Sequence, residues 1–339
     1  MKRLTFLLLA CLTALALTAC GAEKPQEISL FAMDTYMTLA AYGDSADEAL
    51  TAASREINRL EATLSRTIDT SDVSRLNAGE AVVVQPETRA LLERALTLSD
   101  ETGGTFDMTV APLVALWGIT SDAPRVPSQE EIDALLPLVG GEHVHMDDAV
   151  TLDTGCAVDL GGIAKGYASQ QVADILRAHG VTSAVVSLGG NVYVCGSKPD
   201  GTPWNVGIQD PAGSGYAAMV SLTDRFAVTS GGYQRYFEAE DGTVYRHILD
   251  PRTGRPADSD LLSVTIISDD GTAADAYSTA LYVMGEQEAV SFWRAHGGFE
   301  LILITADGRL LYTPGLSDAI TKPEDCAYDF QLLTAQPAA

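Results

Sequence analysis

The feature that most limits the fold is a run of short strand-like segments joined by glycine corners between residues 183 and 250. Ser183–Leu188 and Val192–Cys195 flank Gly189-Gly190-Asn191. Trp204–Gln209, Ala217–Leu222 and Arg225–Thr229 follow, and Ser230-Gly231-Gly232 makes another corner. Gln234–Ala239 and Thr243–Leu249 flank Asp241-Gly242. Connections this short join antiparallel neighbours, because a parallel crossover needs a dozen or more residues. Helical stretches are interspersed. Ser45 is expected to cap one with Leu50, Ile57, Leu60 and Leu64 on its apolar side, and Pro86 opens another. Ser128 and Glu131 form a capping box, and Ala273–Met284 is a helix stopped by Gly285. Hairpins mixed with helices predict an α+β fold with mostly antiparallel sheets, not a doubly wound parallel sheet. The tail after about Pro314 carries few order signals.

Chemistry concentrates in two stretches. In the first, Ala157 and Val158 read as a strand end. Asp159, Gly161-Gly162 and Lys165-Gly166 follow, and Val172, Ile175, Leu176 and His179 keep a helical spacing. Glycines let a ligand approach the backbone, and the free N–H groups of a first helical turn point at it, so this order suits an anion site. The spacing is neither a P-loop nor a dinucleotide fingerprint. Locally it fits a glycine turn before a core-packed helix equally well. Asp159 would repel a phosphate, and suits instead a ribose hydroxyl, a ring N–H or a metal.

The second stretch is Asp269–Ala280. On a helix Asp275, Ser278 and Thr279 share one face, and their oxygens suit a hard cation such as Mg²⁺. A capped helix start with small packing residues would look the same. Between the two stretches, His247 sits at a strand end before the rigid turn Asp250-Pro251-Arg252-Thr253-Gly254. Histidine exchanges protons near neutral pH without unusual tuning. No Gly-x-Ser-x-Gly, HExxH or Cys/His nucleophile arrangement is present.

The formal charge of −25 argues against nucleic acid and polybasic membrane contacts. An acidic chain that binds phosphates needs local positive charge, which a divalent metal would supply. Lys2 and Arg3, the apolar run Phe6–Leu17 and then Leu17-Thr18-Ala19-Cys20-Gly21 resemble a bacterial lipoprotein signal. That predicts cleavage before Cys20, a lipid (palmitate-type) anchor there, and a protein held at the cell membrane facing the periplasm or exterior. The expected organisation is a signal at 1–19, a tether at 20–27, one domain at 28–315 and a tail at 316–339. Of five cysteines, Cys156, Cys195 and Cys326 remain in the body. Their spacing fits neither a disulfide framework nor a zinc site, and leaves buried small residues or one pair.

Taken in order, several segments resemble the ApbE family of FAD:protein FMN transferases. They are the Cys20 lipobox, Phe31-Ala32-Met33-Asp34-Thr35, Val73-Ser74-Arg75-Leu76-Asn77, Phe106-Asp107 with Thr109-Val110, Asp159–Gly166, Leu188–Asn191, Thr229–Gly232, His247–Gly254 and Ala274–Met284. The resemblance implies two closely associated lobes with the flavin in the cleft between them. It implies Mg²⁺-dependent transfer of FMN from FAD to a threonine hydroxyl of an extracytoplasmic protein, with release of AMP. It assigns Met33, Thr105, Phe106, Asp107, Asp159, Lys165, Leu249 and Ser278 to the FAD site. Asp275, Thr279 and the Gly162 carbonyl would hold the metal. His247 is the candidate base, with Asp275 the weaker alternative because a metal-bound carboxylate is a poor base. The family's acceptors carry Asp-Gly-x-[Ser/Thr]-Gly-Ala-Thr and include Nqr- and Rnf-type subunits and extracellular flavoprotein reductases. Many members have Gly where this chain has Asp34, and an aromatic ring where it has Ser65-Arg66-Thr67. An FAD pyrophosphatase, giving FMN and AMP, and a non-catalytic flavin-binding lipoprotein are the competing expectations.

Overall fold

The strand Glu300–Thr305 shows how the core is built. Leu301 and Leu303 join one apolar cluster while Ile302 and Ile304 join another, so both faces of this strand are buried. Side chains alternate across a strand, and a continuous apolar run therefore needs a covering layer on each face. Leu261–Ser268 follows the same rule, with Val264 and Ile266 on one side and Ile267 on the other.

The computed structural model describes residues 24–334. Nine strands form the main sheet in the order Gln26–Ala32, Thr35–Ala41, Ser183–Leu188, Asn191–Gly196, Arg225–Gly231, Leu261–Ser268, Glu300–Thr305, Arg309–Tyr312 and Asp329–Leu332. Every neighbouring pair is antiparallel except the last. The helices Ala46–Leu64, Ala164–Ala178 and Gly271–His296 cover one face. A three-stranded sheet of Ile320–Thr321, Tyr216–Leu222 and Trp204–Gln209 covers the other. The α+β expectation holds. A smaller cluster of Leu113, Trp117, Ile132 and Leu249 forms a separate lobe, tied by Trp117 Nε1 donating to the Gly254 carbonyl at 2.8 Å.

Several local expectations hold and some do not. Ser128 and Glu131 make a complete capping box, and Pro86 starts the helix Pro86–Glu101. The long helix breaks at Gly285, whose φ of 75° and ψ of 177° no helix accommodates. Ser45 makes no side-chain cap. Val158 is not in a strand; Asn77 replaces a strand partner, donating to the Val158 carbonyl at 2.9 Å and accepting from its N–H at 2.7 Å. The tail is ordered: Asp329–Leu332 adds a parallel strand and Ile320–Thr321 pairs with Tyr216–Leu222. Cys156, Cys195 and Cys326 are all free thiols, the first two buried. The signal segment, Cys11 and Cys20 lie outside the described residues.

Candidate active site

Two helix starts meet at one point. The first turn of Ala164–Ala178 follows the glycine corner, and Gly166 lies against the first turns of Gly271–His296. A side-chain carbon at Gly166 would collide with the Gly271 carbonyl and lie 2.6 Å from Asp275 Cβ. That space admits only glycine, and it lets the Gly166 N–H donate to Asp275 Oδ2 at 2.8 Å. One turn further on, the Ser278 hydroxyl donates to the Asp275 carbonyl at 2.8 Å. Ser230, near the end of the strand Arg225–Gly231, bridges Ser278 at 2.8 Å and Thr279 at 3.2 Å, hydroxyl to hydroxyl. The glycine stretch and the Asp-Ser-Thr face, far apart in sequence, thus share one floor.

Above that floor is a cleft of about 620 Å³. It is lined by Met33, Thr105, Phe106, Asp107, Asp159, Gly162, Lys165, His247, Asp275 and Thr279, and by Leu249 from the smaller cluster. Of the residues expected at the site, Ser278 alone does not line it; fully buried, it stands one hydroxyl behind Ser230. Asp107 lines the cleft with both oxygens already engaged. Oδ1 accepts from the Thr109 N–H and hydroxyl, and Oδ2 from Ser99. Its contribution is to cap the short helical turn Met108–Val110 and tie it to Ser99. Asp159 is similarly occupied, accepting from the Gly161 N–H at 2.8 Å and pairing with Arg66 Nε at 3.1 Å. Lys165 donates to the Gly161 carbonyl at 3.1 Å from an exposed position, free to swing toward an anion.

His247 is half-buried. Its Nδ1 lies 3.1 Å from the Arg235 carbonyl, an acceptor, so this nitrogen carries the proton and Nε2 keeps its lone pair. Burial pushes its pKa down to about 4, and the Arg235 and Lys165 cations add to the shift. The ring is therefore neutral at pH 7, the state a general base requires.

Sequence reasoning missed four residues that build this site. Glu61 accepts from the Met33 N–H at 2.7 Å, and Arg235 grips Asp34. Ser230 bridges the floor hydroxyls, and Asn77 holds Val158. Ser230 and Asn77 stand within motifs quoted above. Glu61 and Arg235 carry no local signal, since their partners lie 28 and 201 residues away. Among the described residues no group of three His, Cys, Asp or Glu side chains could hold a metal. A cation here would rest on Asp275, the Thr279 hydroxyl and the Gly162 carbonyl. These are hard oxygen donors, and a side-chain carbon at Gly162 would lie 3.7 Å from Thr279 Oγ1, so the set converges and fits an oxygen-preferring ion.

Comparison with known proteins agrees with this geometry. The family model described as "ApbE family" matches residues 33–303. The FAD:protein FMN transferase of Treponema pallidum (strain Nichols) is 37% identical over 286 residues, covering 78% of this chain and 79% of that protein. The Vibrio cholerae FAD:protein FMN transferase is 35% identical over 246 residues, covering 70% and 73%. Among solved structures, the ApbE protein of Thermotoga maritima superposes with a TM-score of 0.78 at 35% identity, over 89% of this chain and 97% of that one. The apo flavinyl transferase ApbE of Pseudomonas stutzeri gives 0.76 at 30% identity, over 91% and 97%. With the motifs, the sheet order and the matched span in agreement, the chain belongs to the ApbE family.

Proposed function

We infer that this protein transfers the FMN part of FAD to a target protein, and that the receiving group is a threonine hydroxyl. The observation that carries the reading is the Gly166–Asp275 contact, which brings the anion-binding glycine corner and the oxygen-rich helix face to one cleft. The threonine oxygen attacks the phosphorus on the FMN side of the pyrophosphate. A new P–O bond forms, the bond to the AMP oxygen breaks, and AMP leaves. Positioning and neutralisation of phosphate charge carry such a transfer. Lys165 and the Gly162 N–H take phosphate charge, and His247 Nε2 accepts the threonine proton. Asp275, Thr279 and the Gly162 carbonyl would hold Mg²⁺, which when bound polarises the pyrophosphate as a Lewis acid.

The test combines the protein, FAD, Mg²⁺ and a protein bearing Asp-Gly-x-[Ser/Thr]-Gly-Ala-Thr, and records acceptor mass and free AMP with and without EDTA. The expected result is a metal-dependent gain of one FMN with matching AMP. AMP and free FMN without acceptor modification would make the protein an FAD pyrophosphatase instead. FAD binding with neither product would leave a flavin carrier and remove the catalytic roles. Nqr- or Rnf-type subunits and extracellular flavoprotein reductases are the proposed acceptors. The lipoprotein signal supports a membrane-anchored protein acting outside the cytoplasm. Cys20→Ala should release it from the membrane fraction, and a variant that stays bound would refute the anchor.

A further inference from the structure

The turn Met33-Asp34 joins the first two strands, and both residues are left-handed, with φ of 49° and 57°. A two-residue hairpin turn with both φ values positive favours glycine, asparagine or aspartate. Asp34 meets that requirement, and its carboxylate reaches across the cleft. It accepts from Arg235 Nη1 at 2.6 Å, while the Asp34 main-chain carbonyl accepts from Nη2 at 2.8 Å. Arg235 stands at the base of the hairpin Tyr236–Glu238/Val244–Arg246, whose strands pair only with each other and not with the main sheet. The Arg235 carbonyl takes both the His247 N–H and its Nδ1, each at 3.1 Å. Glu61 fixes the other side of the turn through the Met33 N–H.

We propose that Asp34 is a positioning residue for His247: by gripping Arg235 it locks the base of the small hairpin, and the Arg235 carbonyl then holds the imidazole as the Nδ1–H tautomer with Nε2 facing the cleft. The inference rests on His247 acting as the base. Glycine at this position would ease the backbone and leave Arg235 held here by the main-chain carbonyl bond alone. Asparagine would keep both the left-handed backbone and a carbonyl acceptor for Arg235.

The test labels histidine with ¹⁵N in the whole protein and reads the His247 tautomer by NMR, alongside kcat and the KM for FAD. Asp34→Gly should lose Nδ1–H population and lower kcat by about fivefold, the scale of one exposed ion pair, with KM for FAD little changed. Asp34→Asn should restore most of both readouts. A wild-type tautomer and kcat in Asp34→Gly would overturn the proposal. His247→Gln separates the underlying reading. If that variant transfers at the wild-type rate while Asp34→Gly still shifts the tautomer, the base assignment fails and the ring positioning stands.

Discussion

At the floor of the cleft, Gly166 touches Asp275 through main chain, and Ser230, Ser278 and Thr279 form a hydroxyl cluster of which Ser278 is fully buried. At the rim, Asp34 meets Arg235 and Arg66 meets Asp159 through long side chains, with Asp34 and Arg235 73% and 43% exposed. The two zones face the same substrate but are held differently. The floor depends on the absence of a side chain and on buried hydrogen bonds, which cost the full desolvation of any group left unpaired. The rim depends on solvated ion pairs, each contributing about 0–1 kcal/mol. The oxygen donors proposed for a cation sit on the first, and the contacts proposed to orient the His247 ring sit on the second.

That contrast fails if floor and rim substitutions behave alike. The largest effect is expected for Gly166→Ala. Its methyl must displace the Gly271 carbonyl and Asp275, which should cost roughly 1–3 kcal/mol, lower the melting temperature and abolish transfer. Asp275→Asn should separate charge from fold. The amide oxygen still accepts from the Gly166 N–H, so the melting temperature should hold while transfer falls at least about a hundredfold. A variant that kept half its activity would remove Asp275 from the proposed metal site. His247→Gln comes next, with a loss of about 10²–10⁴ in kcat and FAD binding retained, read by single-turnover kinetics.

The pH dependence sharpens the same contrast. His247 has a folded pKa near 4 against an ordinary value near 6.5. Between these values the unfolded chain binds the proton and the folded one does not. Stability therefore falls as pH drops from 6.5 toward 4, and denaturant titrations should show a shallower fall in His247→Gln. The base stays neutral through this window, so the acid limb of kcat/KM should lie near pH 4. A limb at 6.5 would mean another base. The smallest effect belongs to the rim: Arg66→Ala should change the KM for FAD by only a few-fold, about 0–1 kcal/mol, and less at high salt.

What the sequence made legible follows from the range of each signal. The Ser128 capping box, the helix start at Pro86, the break at Gly285 and the continuous apolar run in Glu300–Thr305 are all local, and all were readable. The cleft residues were readable because their motifs keep a family order. What stayed hidden was long-range and side-chain specific. Nothing near Val158 announces that Asn77 will stand in for a strand partner. Little in residues 316–334 announces a parallel strand, since Asp329–Leu332 is mostly exposed and its alternation of Phe330 and Leu332 with polar residues is only four residues long. The Asp34–Arg235 grip is invisible for the same reason. The turn chemistry at Asp34 admits glycine, asparagine or aspartate alike, and the partner that uses the carboxylate stands across the cleft.

The sheet order has a further consequence, in time and not in space. Thr35–Ala41 has no partner on its inner side until Ser183–Leu188 arrives, more than a hundred residues later in the chain. Arg235 must then be present to meet Asp34, and Gly271–His296 to complete the floor. Contacts of such separation close slowly, because loop entropy is lost before they repay it. The pocket for flavin is thus among the last parts of the molecule to exist during synthesis or refolding. A chain ending before about Thr279 would have most of the cleft wall but not Asp275 and Thr279 at its floor, so full flavin binding should report completed folding and not a step on the way.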